Sequence, residues 1–132
     1  MQGCRVRTGW VCGVGAPRWY CIVVGLFLAI RAVSTSAVGA NFDLPGDGWR
    51  AVWQLVLAAL LVVGVVRPRA AWPAVAVVGA VYVLATGLEA FHGTDLLGVV
   101  PVDMRDRIVH PLLAMFAVLS LLLARRRADA VT

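Results

Sequence analysis

Nineteen consecutive residues from Ala70 to Leu88 carry no charge, and three other stretches of the same kind share the chain with them. Ala51–Val66 gives sixteen uncharged residues, and taken back to Trp49 the stretch is eighteen residues long with Arg50 inside it. Ile108–Ala124 gives seventeen, and Trp19–Ala40 is broken only by Arg31. A helix rises about 1.5 Å per residue, so about 20 apolar residues cross a hydrocarbon core of ~30 Å, with about 17 as a lower limit. The second and fourth runs are therefore short spans, accommodated by local thinning or little tilt. Core helices of a soluble bundle would show a polar face every third or fourth position. Leu55–Val66 and Val75–Leu84 show none, so lipid suits them better than water.

Composition agrees. Of the 132 residues, 61% are apolar and 14% charged, against roughly 45–50% and about 25% in an ordinary soluble domain. The length allows one domain. The chain is expected to be all-α, a polytopic membrane protein with transmembrane helices at about 19–40, 49–66, 70–90 and 108–124. A basic tail, residues 1–18, precedes them and a second, residues 125–132, follows.

Charge placement gives the orientation. All twelve basic residues are arginine, and the net charge is +5. With four crossings, Arg5, Arg7, Arg18, Arg67, Arg69, Arg125, Arg126 and Arg127 share one side, while Arg50, Arg105 and Arg107 lie on the other. The richer side belongs in the cytoplasm, which makes the chain N-in/C-in and places it in the plasma membrane. Trp19, Tyr20 and Trp72 mark the inner boundary, and Trp49, Trp53 and Phe91 the outer one. Arginines at the ends of apolar runs, without a polar element bearing interleaved aromatics, argue against nucleic acid as a partner. A basic start, the apolar stretch Tyr20–Ile30 and small residues at Ser34–Ala37 also fit a leader cut after Ala37 or Ala40. Its length, and Arg31 just ahead of the cut region, argue for retention.

The three cysteines, Cys4, Cys12 and Cys21, form no Cys-x-x-Cys pair, and Cys4 and Cys12 are expected to be free thiols. The loops are short and polar: Asn41–Gly48 holds Pro45 and two aspartates, Pro68 breaks the chain between Arg67 and Arg69, and Phe91–Arg107 is longer. The apolar patch Leu96–Val100 in that last loop is expected to lie along the interface.

Two groups of polar residues stand out. Arg31 lies ~17 Å into the first helix, where an arginine costs at least ~2.5 kcal/mol on insertion scales, so it should face other helices or water. Gln54, about a turn inside the second helix, is its expected partner at similar depth. Together they suggest either an anion or substrate site or a structural hydrogen bond between two helices. Glu89 and His92, three apart, share a helical face in the spacing of di-metal carboxylate bundles. Those bundles need further glutamates, and Glu89 is the only one here. A single zinc site from Glu89, His92 and His110, with Asp106 one turn before His110, is conceivable, as is haem ligation by the two histidines. The plainer expectation is that Glu89, His92, Asp106 and His110 are wetted groups at the outer face, with no cofactor. Small residues Ala58, Ala59 and Gly64 in the second helix, and Ala76, Gly79, Ala80 and Gly87 in the third, suit close helix approach.

The segment Leu96-Leu97-Gly98-Val99-Val100-Pro101-Val102-Asp103, followed by Asp106-Arg107-Ile108-Val109-His110, resembles the approach to the last helix in the bacterial family called domain of unknown function 4383. Gly79-Ala80-Val81-Tyr82-Val83-Leu84 is similar to that family's Gly-Val-Val-Tyr-Leu segment. The resemblance runs from Tyr20 to Arg125 and implies a four-helix membrane architecture with no known activity. The family has asparagine at the position of Asp103 and an Asn-Leu-x-His pattern opening its second helix. Here that helix opens Trp49-Arg50-Ala51-Val52-Trp53-Gln54, which weakens any shared histidine site.

Three functions follow as expectations. The first is a non-enzymatic membrane interaction or accessory protein, working through the bilayer, a membrane partner or a homo-oligomer. The second is a small transporter or channel subunit using Arg31 and Gln54. The third is a metal-binding membrane enzyme at Glu89, His92 and His110.

Overall fold

A computed structural model describes residues 15–92 and 95–130, and for His92 and Asp95 the backbone alone. Four helices run up and down: α1 Ala16–Gly39, α2 Asp47–Val66, α3 Pro68–His92 and α4 Asp106–Asp129. Each is long and apolar enough to cross a membrane. Residues 1–14 of the expected basic tail, with Cys4 and Cys12, lie outside the described residues, as do Gly93, Thr94, Val131 and Thr132.

The helix ends depart from the hydropathy boundaries in an instructive way. Hydropathy stops at the first charge, whereas backbone hydrogen bonding does not. Arg18 belongs to the first turn of α1, and Arg125–Arg127 continue α4 rather than forming a tail. Cations in the last turn of a helix meet the negative end of its dipole, which favours that extension. At the other connection, Pro68 opens α3, where its missing N–H costs nothing. Arg67 alone separates α2 from α3, its N–H bonded to Val63 O at 2.9 Å and its carbonyl accepting from Ala70 N at 2.8 Å.

The core is a ladder of Cys21, Leu28, Leu61, Val75, Val78, Tyr82 and Ala117, all buried. Two glycines allow the helices to meet. A Cβ on Gly79 of α3 would sit 2.7 Å from Ala117 Cβ of α4, and one on Gly64 would sit 2.7 Å from Cys21 Sγ. Gly87, also a candidate for close approach, has nothing within 4 Å of its added Cβ. Large apolar side chains instead point outward along the helices, among them Val23, Leu26, Val56, Leu84 and Phe116. This is the arrangement of a bundle whose outside is as apolar as its inside. Tyr20 OH donates to Leu113 O at 3.1 Å, tying α1 to α4.

The patch Leu96–Val100 has a regular structure of its own. It folds into a two-stranded antiparallel hairpin, β1 Asp95–Leu96 with β2 Val100–Pro101, and Leu96 is buried. Val99 N–H donates to Leu96 O at 3.1 Å across a turn whose central residues, Leu97 (φ 57°) and Gly98 (φ 71°), are both left-handed. Primed turns of this kind suit Asn-Gly, and a leucine there is strained by ~1 kcal/mol or more. Leu97 is also exposed. Leu97→Asn is therefore expected to raise stability by ~1 kcal/mol in a detergent unfolding experiment; unchanged or lower stability would mean that Leu97 makes a packing contribution larger than its strain.

The polar end of the bundle as a candidate functional site

The ends of α1 and α3 and the starts of α2 and α4 meet at one end of the bundle, opposite the termini. The loop from α1 to α2 is pinned there. Gly46 N–H donates to Val99 O at 3.1 Å, joining it to the hairpin, and Gly48 N–H donates to Asn41 O at 2.8 Å. Trp49 Nε1 donates to Phe42 O at 3.0 Å while the two rings pack edge to face at 5.9 Å. Helix α2 therefore starts in a fixed place, and Arg50 is carried in its first turn.

Arg50 is the hub. Its Nη1 donates to Asp103 Oδ2 at 2.8 Å and its Nη2 to Pro101 O at 2.6 Å. The same Nη2 lies 3.6 Å from Asp106 Oδ2 and 3.6 Å from Asp47 Oδ1. The guanidinium thus uses its planar fork to hold the hairpin, the turn before α4 and α4 itself. Arg50 is 8% exposed. From the sequence alone it is one of the three arginines expected on the outer side. A weak signal was present: Asp47 and Arg50 stand three apart, as do Asp103 and Asp106, so each pair shares a turn.

Arg31 reaches the same place from α1. It lies eight residues before Gly39, or ~12 Å from that end of the helix, and its Nη2 is 3.3 Å from Asp106 Oδ1. Its guanidinium also stands over the Phe27 ring at 6.0 Å. The charge expected to face Gln54 of α2 is met by Asp106 of α4. Gln54 is buried one turn inside Arg50, and its Oε1 finds no hydrogen-bond partner among the described residues. Asp106 is consequently bridged by two arginines, one on each oxygen, at the positive end of the α4 dipole.

A second pair lies beside this network. His110 of α4 and Glu89 of α3 form a close contact, with His110 Nδ1 against Glu89 Oε1. The Tyr82 ring packs on the imidazole at a centroid distance of 5.2 Å. Glu89, Asp106 and His110 are buried, which corrects the expectation that they are wetted: each satisfies its charge or polarity from a neighbouring helix, as buried ionisable groups must. A surface cavity of about 280 Å³ lined by Thr86, Glu89, Ala90 and Arg107 approaches the pair. A carboxylate and an imidazole in contact can hold one proton between them.

For metal chemistry, Glu89 and His110 are brought together, while the side chain of His92 lies outside the described residues. Among the described residues, no three of histidine, cysteine, aspartate and glutamate are grouped as metal ligands. Sequence reasoning missed Arg50, Asp103 and Tyr82, and paired Arg31 with the wrong helix. Compared with protein-family models, with curated proteins and with solved structures, the chain finds no match.

Proposed function

We propose that this chain is a multi-pass protein of the plasma membrane, N-in and C-in, that acts by contact with lipid and with other membrane helices and not by catalysis. One observation carries the reading. The charged groups turned into the bundle at the end opposite the termini are paired with one another, in Arg31–Asp106, Arg50–Asp103 and His110–Glu89, while the faces turned outward are apolar. Groups already satisfied within the bundle hold the helices in place, and the surface left for business is greasy. The arginine count supports the orientation, since Arg18, Arg67, Arg69 and Arg125–Arg127 all fall at the terminal end. The resemblance to the domain of unknown function 4383 family is part of the same proposal and fits the same architecture.

The transporter reading has less support. Arg31 is neutralised by Asp106, and the fully buried side chains of the described core, among them Leu28, Leu61, Val75 and Val78, are apolar. Chemical crosslinking in native membranes should capture a homo-oligomer or a membrane partner. Only monomer, with no partner, would overturn the interaction role. Reporter fusions at Pro45 and Gly98 should report from outside the cytoplasm; cytoplasmic signals would overturn the topology.

A further inference from the structure

Helices α1 and α4 part toward the terminal end of the bundle and leave an open groove of about 840 Å³. Its walls are Trp19, Val23 and Val24 of α1 and Phe116, Leu119 and Leu123 of α4, with Arg127 at the mouth. From Phe116 to Arg127 the groove runs eleven residues along α4, or ~16 Å, about the depth of one leaflet of a ~30 Å core. The lining is apolar below and cationic above, the polarity of a phospholipid with a negative headgroup.

A second, independent feature lies inside it. Ser120 also lines the groove; it is 7% exposed, and its hydroxyl has no hydrogen-bond partner among the described residues. Other helical hydroxyls in this chain behave differently. Those of Ser34, Thr35, Ser36 and Thr86 each donate to the carbonyl four residues earlier, at 2.7, 3.0, 2.9 and 2.8 Å. Ser120 is a buried donor in the groove wall that its own helix leaves unpaired. Side chains lean toward the N-terminus of their helix, so Arg127 reaches back along α4 toward the level of Ser120.

We propose that this groove seats an anionic phospholipid: one acyl chain between Val23 and Phe116, the phosphate on Arg127, and a glycerol ester carbonyl accepting from the Ser120 hydroxyl. Charge favours this occupant over two others. A second copy of the chain would bring its own Arg125–Arg127 against this cluster, and the chain's own first residues carry Arg5 and Arg7. Basic pockets between transmembrane helices on the cytoplasmic side recognise acidic headgroups for this reason. Neighbouring Arg125 is engaged elsewhere, over the Trp72 ring at 5.9 Å.

The inference rests on the chain being embedded in a bilayer, and it is tested separately from the orientation. The full chain, purified in mild detergent, is given equal amounts of phosphatidylglycerol and phosphatidylethanolamine with identical acyl chains, and bound lipid is read by native mass spectrometry. Phosphatidylglycerol should be enriched. One arginine near an anionic headgroup is worth roughly a fivefold preference, so Arg127→Gln should reduce the enrichment about fivefold while Arg125→Gln leaves most of it. Val23→Trp, which fills the groove, should remove both lipids, and retained helicity shows that the variant is folded. Equal retention of both lipids, an equal response to the two arginine variants, or a full chain carrying no lipid would overturn the proposal; so would a dimer in place of bound lipid. If the lipid binds but Pro45 and Gly98 report from the cytoplasm, the orientation falls and the lipid site stands.

Discussion

Replacing Asp106 with alanine should destabilise the fold by about 3–5 kcal/mol, because it strands Arg31 and leaves Arg50 with only the exposed carboxylates of Asp103 and Asp47. The side chain of Asp106 is 3% exposed and holds Arg31 on one oxygen and Arg50 on the other. Removing one partner of a buried ion pair is costly for the charge left behind, not for the bond lost. The same logic ranks the neighbours. Asp103 has the shorter contact with Arg50, at 2.8 Å, yet its side chain is 60% exposed. Water can replace it, so Asp103→Ala should cost about 1 kcal/mol or less. Arg31 is 26% exposed, and its loss leaves Asp106 still paired with Arg50, so Arg31→Met should fall between the two. Asp106→Asn separates charge from shape, since the amide is nearly isosteric but cannot neutralise two cations. It should retain only a small part of the stability. Denaturant unfolding of the purified variants in mixed micelles gives the order directly. Equal losses for Asp106→Ala and Asp103→Ala would show that the network is solvated and contributes little.

That ranking was not available from the sequence, although the helices were. Apolar stretches of about 17 residues have few alternatives to a membrane-length helix, so all four were legible from hydropathy even with Arg31 inside the first. Their ends were not, because Arg18 and Arg125–Arg127 are helical despite being charged. The polar end was legible as a set of residues and illegible as a set of pairs. Arg31 stood out because a deep arginine must be compensated, but its compensating partner depends on which face of α4 turns inward. Arg50 and Asp103 are 53 residues apart in the chain, and Glu89 and His110 are 21 apart. No spacing rule within one helix connects such pairs. The hairpin was hidden for a different reason: a leucine at a left-handed position carries no turn signal, and only Gly98 beside it hinted at one.

The small residues were the one long-range packing signal that could be read locally, and Gly79→Leu tests how far it reaches. In a membrane there is no hydrophobic drive between helices, so α3 and α4 are held by van der Waals packing and by polar contacts across them. At Gly79 the two helices meet closely, since even a single added carbon would lie 2.7 Å from Ala117 Cβ. Real Cβ atoms do not approach so closely, and Ala117 is fully buried, so the helices must separate or shear. Tyr82 follows Gly79 by less than one turn of α3 and packs on His110, and Glu89 lies two turns beyond it. Separation at Gly79 therefore loosens the Glu89–His110 contact as well as the apolar core. Gly79→Leu should cost more than the ~1–3 kcal/mol usual for overpacking, because packing and a buried polar pair are lost together. Gly79→Ala should show part of the loss, and Ala117→Gly should restore it, since the carbon added on α3 then takes the place of the one removed from α4. An Ala117→Gly background that fails to rescue Gly79→Ala, or a Gly79→Leu variant that unfolds at the parental denaturant concentration, would mean that α3 and α4 do not meet at this position.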